Sequence, residues 1–222
     1  MIWNMARSPR VRFLLAFAIL VWPAAVGVLI LPAQAPNQVL EDFRHPDDTG
    51  WPVGWKAQRS ETRAKEAYRV KTDGDQAFLA ASGADQRVYK KTGWDPKNMP
   101  IISWKWRLKS APPPESDKDD LIAAVFVSLD TDLMFIPVTT KYVWSRTKPV
   151  GTITEGGMSS ASEIVMRNGT APIGEWVDER VNAYVDFKRI HNHEPADKAW
   201  GVSLLAGPGV EVDFGTITAH SQ

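Results

Sequence analysis

Ser103-Trp104-Lys105-Trp106-Arg107-Leu108 alternates strictly between large apolar side chains and polar or charged ones. A β-strand sends successive side chains to opposite faces, so Trp104, Trp106 and Leu108 share one face while Ser103, Lys105 and Arg107 share the other. The ring-bearing face belongs to a core, and the cations face outward or into a groove. Working outward, further short runs rich in Val, Ile, Thr, Tyr, Phe and Trp read as strands: 77–81, 86–90, 101–109, 122–130, 140–145, 162–167, 180–188, 201–206 and 211–219. In the run 181–188, Val181, Ala183, Val185 and Phe187 fall on one side and Asn182, Tyr184, Asp186 and Lys188 on the other. Leu121 to Val127 is apolar on both faces, as expected of a central strand covered from each side. Asn168-Gly169 marks a tight turn. Only residues 175–181 suggest a turn or two of helix. Many strands at this spacing predict an all-β, jelly-roll-like β-sandwich, galactose-binding-like or concanavalin-like, preceded by a hydrophobic N-terminal helix.

That helix is expected in the leader. Arg7, Arg10 and Arg12 precede Phe13 to Leu31, nineteen residues without a charge. As a helix this run is roughly 28 Å long, near the thickness of a bilayer core. Ala33-Gln34-Ala35 has the small-x-small form of a signal-peptidase site, while Pro36 directly after it fixes the backbone and disfavours cutting. A cleaved signal peptide over residues 1–35 and a retained anchor over residues 13–31 both remain open. Either way the arginines keep the amino end in the cytoplasm and send residues 36–222, one β-sandwich domain, to a periplasmic or extracellular location.

The chain has 222 residues, 44% of them hydrophobic and 23% charged, which is too apolar for a disordered protein. Its 26 basic and 26 acidic side chains balance, and the leader takes three arginines and no acid, leaving the remainder at −3. A nucleic-acid binder would carry a basic excess. With no cysteine, disulfides, thiolate metal sites, iron–sulfur clusters and cysteine nucleophiles are excluded.

The segments SWKWRL, ESDKDDLIAAVFVSLD, KYVWSRTKPVGT and GEWVDERVNAYVDF resemble a bacterial exported family catalogued as domain of unknown function 3047. The resemblance runs from about Val39 to the carboxyl end. It implies a secreted β-sandwich and carries over no catalytic residue. Relatives tend to be Asp-rich near the last strands, where this chain has Leu204-Leu205-Ala206-Gly207-Pro208-Gly209.

Three constellations hold candidate chemistry. Lys105, Arg107, Lys141, Arg180, Asn182, Tyr184 and Asp186 would form one polar concavity if their strands were neighbours, suiting hydroxyl-rich or carboxylated ligands. Tyr142 and Trp144 alternate onto the same side as Arg146 and are expected to add an aromatic surface on which a sugar ring can stack. Glu115, Asp117, Asp119 and Asp120 form a dense acidic turn, a weak calcium candidate that lacks the glycine and closing glutamate of an EF-hand loop. His191 and His193 could share a metal on a strand, although Pro195 favours a loop. The small-residue run 156–162 lacks the lysine of a phosphate loop, and no nucleophile elbow, zincin motif or dinucleotide fingerprint occurs.

The residues therefore point to a non-enzymatic module binding a saccharide or small polar ligand, with no cofactor beyond the calcium candidate and membrane contact only through the N-terminal segment. A polysaccharide hydrolase or lyase and a structural or assembly protein of the envelope are the alternatives.

Overall fold

The computed structural model describes Met1 and residues 37–83, 86–115, 120–156 and 161–222. The expected leader, Asp117 and Asp119 of the acidic turn, and the middle of the small-residue run lie outside the described residues. From Asn37 onward the chain belongs to a single unit, Gln34–Gln222.

In chain order the elements are β1 (Asn37–Glu41), β2 (Trp55–Ala57), α1 (Glu61–Ala67), β3 (Tyr68–Asp73), β4 (Gln76–Ser82), β5 (Val88–Lys91), β6 (Ile101–Ser110), β7 (Leu121–Thr131), β8 (Pro137–Ser145), β9 (Ile153–Thr154), β10 (Ser162–Asn168), β11 (Val177–Asn182), α2 (Ala183–His191), β12 (Gly201–Ala206), β13 (Glu211–Phe214) and β14 (Ile217–His220). They form two seven-stranded sheets. The first runs β1-β14-β6-β13-β4-β3 with β11 also on β6, and the second runs β2-β5-β12-β7-β8-β10-β9. All pairs are antiparallel except β8 with β10. Trp106 pairs with both β11 and β13, and Ile102 with both β11 and β14. A strand has only two flanks, so β13 and β14 follow one another along one side of β6, and β11 edges the other. The architecture is the expected β-sandwich.

The core lies between the sheets. From β6 it takes Ile102, Trp104, Trp106 and Leu108, all buried, and from β8 it takes Tyr142 and Trp144. The rings interleave across the gap, Trp104 with Tyr142 at 5.6 Å and Trp106 with Trp144 at 5.7 Å between centroids. Separations of 4.5–7 Å are the favourable range for aromatic pairs. Strand β7 is central, and both of its faces are buried as its sequence requires. Ala123, Val125 and Val127 enter the main core, whereas Ala124 and Phe126 join Val143 and Val165 in a smaller cluster on the other side.

Three expectations fail locally. The run 180–188 is not one strand: β11 ends at Asn182 and a helix begins. Asn182 Oδ1 accepts the Val185 N–H at 2.9 Å, Asp186 sits in the first turn, Lys188, Arg189 and His191 occupy the last, and Asn192 closes the helix in the left-handed region. These are ordinary helix-capping devices, and they outweigh the period-two pattern. Ala183 and Phe187, four residues apart, are buried, while Val185 is exposed. The residues expected to make a helical turn before it, 175–181, instead supply two irregular residues and β11. The run 211–219 is two strands interrupted at Gly215-Thr216, where a side chain at Gly215 would meet the Lys105 stem at 2.6 Å.

Candidate site on the outer face of the first sheet

Alternation that sends Trp104 and Trp106 inward turns Ser103, Lys105 and Arg107 outward. Arg107 pairs across the ladder with Asp213 of β13. Its Nε and Nη2 both donate to Asp213 Oδ2, at 2.9 and 2.8 Å, and Nη1 donates to Asp73 at 3.1 Å. The guanidinium also lies 4.4 Å from the ring centroid of Trp176 and 5.1 Å from that of Phe78. Trp176, just before β11, meets Phe78 edge-on at 5.6 Å, and the Lys105 ammonium stands 5.3 Å from the same indole. Lys105 is further held by Gln76 Oε1 at 2.7 Å. Two cations, two rings and two acids thus meet on the sheet surface.

Hollows lie on both sides of that cluster. One, of about 430 Å³, is lined by Arg107 and Asp213 with Arg69, Lys71, Lys109 and Glu211 among others. The second, of about 380 Å³, is lined by Lys105 with Ser103, Asp178, Arg180, Thr216 and Thr218 among others. In the first, Arg69, Lys71 and Lys109 make no ion pair among the described residues. Burial raises the Asp213 carboxyl above the ordinary carboxylate value even though Arg107 holds it, so here desolvation outweighs the ion pair. Beside the second, Ser103 Oγ lies 2.6 Å from His220 Nε2, and burial together with the Arg180 charge lowers the His220 imidazole.

Of the nine residues expected to form a binding face, Lys105, Arg107 and Arg180 come together here. The other six do not join them. Tyr142 and Trp144 are completely buried between the sheets, with Trp144 donating to Gly169 O at 2.8 Å. The alternation grouped them correctly and assigned the wrong side, because in β8 the outer side is the one carrying Lys141 and Val143, and there Val143 is itself buried in the smaller cluster. Lys141 lies on the second sheet's outer face, bonded to Glu163 at 2.9 Å. Asn182 is the helix cap. Tyr184 donates its hydroxyl to Glu194. Asp186 accepts the Tyr142 hydroxyl at 3.1 Å and Arg189 at 2.9 Å. Burial raises both Tyr142, well above its ordinary value, and Asp186.

In the acidic turn, Glu115 is exposed. Asp120 accepts Ser145 Oγ on one oxygen at 2.5 Å, and on the other the Thr147 N–H at 2.9 Å and hydroxyl at 2.7 Å. Burial pushes its carboxyl up, but those bonds prevail and hold it below the usual value. Asp120 thus fastens β7 to the segment after β8. His191 and His193 stand 6.4 Å apart, stacked on Phe187 in the helix end rather than aligned on a strand. No group of three or more metal-ligating side chains occurs among the described residues.

Two further buried carboxylates are not singled out by the sequence pattern. Glu41 accepts the Asp42 and Phe43 N–H groups, Trp55 Nε1 at 2.6 Å and Lys90 Nζ at 2.8 Å. Glu179 accepts Trp106 Nε1 at 3.2 Å and is ion-paired to Arg167 of β10. Each ties the first sheet to the second. Trp176, Phe78 and Asp213 were also missed as site residues. Asp213 had a signal, since Glu211 and Asp213 alternate with Val212 and Phe214.

The family described as protein of unknown function, DUF3047, matches residues 53–206. The chain belongs to that family. The match spans β6 and Trp176 and ends before β13, so the DUF3047 match includes Arg107 but not its partner Asp213. No protein of curated function matches. Among solved structures, the K1 cleaved adhesin domain of Lys-gingipain from Porphyromonas gingivalis W83 is 10% identical, covering 85% of this chain and 99% of its own, with a TM-score of 0.39. Endoglucanase 3 of Trichoderma harzianum, from family GH12, is 10% identical, covering 86% and 100%, with a TM-score of 0.41. The C-terminal family 22 carbohydrate binding module of Clostridium thermocellum Xyn10B is 10% identical, covering 80% and 97%, with a TM-score of 0.33. Nothing about ligand or activity is carried from them to this chain.

Proposed function

We propose that the chain is a non-catalytic binding protein, exported by its leader, that holds a hydroxyl-rich saccharide bearing carboxylate groups on the outer face of the first sheet. The supporting observation is the half-exposed Trp176 indole, fixed by Arg107 and Lys105, beside a hollow carrying three cations without ion-pair partners among the described residues. An indole offers an apolar face to a sugar ring, and arginine forks match carboxylates. A screen of the purified chain against neutral and uronate oligosaccharides tests this. Uronate hits should weaken about tenfold or more in Trp176→Ala and in the pair Arg69→Ala and Lys71→Ala. A hit that both variants retain at full strength refutes the site.

A second reading, hydrolysis at the same face, rests on Asp213, an acid raised by burial at the floor of a hollow. Glu211, two positions along the same strand face, lies about 7 Å away by strand rise, within the span used by paired glycosidase carboxylates. Asp213→Asn separates the two: under the binding reading no bond cleavage exists to be lost, and under the hydrolytic one cleavage disappears while binding survives.

A further inference from the structure

The connection from β7 to β8 ends in Leu133-Met134-Phe135-Ile136, whose fractional exposures are 101%, 69%, 84% and 43%. Other large apolar side chains exposed among the described residues beyond Met1, such as Val53, Val150, Ile173 and Val185, are scattered singly, which is normal for a protein surface. Four in a row at the tip of a hairpin are not. The tip is also rigidly built. Asp132 N–H donates to Ile136 O at 2.8 Å and Phe135 N–H to Asp132 O at 2.9 Å, while Asp132 Oδ1 accepts the N–H groups of Met134 and Ile136 at 2.9 and 2.8 Å. Phe135 holds φ of +62°, a left-handed conformation that glycine or asparagine would adopt more cheaply. A bulky ring kept there at backbone cost, and in solvent, points to a use for the ring.

We propose that this tip inserts into the apolar boundary of an anionic phospholipid bilayer. Hydrocarbon offers no partner to a backbone N–H, so a loop entering it must satisfy its donors internally, and four of the tip's N–H groups are already bonded within the turn. A protein partner would need no such self-sufficiency. The surroundings suit a charged headgroup layer. Where β7 reaches the tip, Asp130 and Thr131 line a hollow of about 400 Å³ together with Lys91, Lys198 and Trp200. Lys91 stands 5.3 Å from the Trp200 ring, which also packs on Tyr89 at 5.4 Å, and neither lysine makes an ion pair among the described residues. Lysines and amphipathic rings behind an apolar tip match the headgroup level of a membrane.

The chain contains no cysteine, so one placed at a chosen position can be labelled alone. Full-length Leu133→Cys and, as the control in the β3–β4 turn, Asp75→Cys should each carry an environment-sensitive fluorophore and be mixed with vesicles of phosphatidylglycerol and phosphatidylethanolamine. Reading the label itself separates tip insertion from any attachment through the leader. The label at 133 is expected to shift to the blue and be quenched by nitroxide-bearing lipids, while the label at 75 does neither. Adding Phe135→Asn, which suits the backbone there and removes only an exposed ring, should cut the shift at a given lipid concentration by half or more. Phosphatidylcholine vesicles should give a weaker response, and an equal one would overturn the anionic preference. A label at 133 that stays water-like on vesicles carrying the protein overturns the proposal. A blue shift that grows with protein concentration without lipid also overturns it, assigning the tip to a second copy.

Discussion

Glu179 and Asp213 are both acids raised by burial, both paired with an arginine, and both beside a tryptophan. They differ in where the arginine comes from. Arg167 belongs to the second sheet, so its bond to Glu179 crosses the sandwich, and Trp106 donates to the same carboxylate from the core. Arg107 belongs to the strand beside Asp213, so that pair crosses nothing and lies under a half-exposed indole with hollows on each side. The same three groups make a strut when they join layers and a platform when they share one. Burial and a shifted acid therefore do not by themselves identify a binding site, whereas the sheet from which the partner comes separates the two uses.

The comparison breaks or holds on stability first. Arg167→Ala leaves Glu179 buried without its cation and should cost about 3 kcal/mol in urea unfolding. Arg107→Ala should cost only about 1 kcal/mol, because Lys71 and Lys109 lie near Asp213 in an open hollow. Equal losses would mean that both pairs are struts. On binding the order reverses: Trp176→Ala should weaken a uronate ligand about tenfold, near 1.4 kcal/mol, while Arg167→Ala leaves the affinity of the folded fraction unchanged in titration calorimetry. The strut also has a pH signature. Because the folded state raises the Glu179 carboxyl above its ordinary 4.5, the native protein holds the proton where the unfolded chain has lost it. Its contribution is full below that ordinary value and is lost as pH rises through the folded one. Glu179→Gln should therefore flatten the decline of the urea midpoint from pH 4 toward neutrality, and a slope unchanged by the substitution would discount the strut. Tyr142→Phe, which loses one hydrogen bond to Asp186 far from the platform, should cost about 1 kcal/mol and leave ligand affinity alone. Smallest of all, millimolar calcium should leave the melting temperature where it was, because both Asp120 oxygens already accept protein donors.

Alternation made the sandwich legible. It placed Trp104, Trp106 and Leu108 inside and Lys105 and Arg107 outside, and it marked β7 as covered on both faces. It misplaced Tyr142 and Trp144, since in β8 both sides carry apolar residues, and a period of two says which side chains travel together without saying which way they point. The helix at 183–191 was readable from Asn182, Asp186 and the basic last turn, had capping been weighed against alternation. The platform was not readable. Trp176, Phe78, Arg107 and Asp213 come from three strands and a loop whose adjacency arises only when β13 returns beside β6, and no local pattern encodes that return.

Glu41 and Glu179 fasten the two layers without a disulfide, since the chain has no cysteine. Many β-sandwiches rely on a crosslink between their sheets, whereas this one closes by placing charge on charge beside an indole. Its assembly needs no thiol chemistry, and reducing agents should have no grip on it.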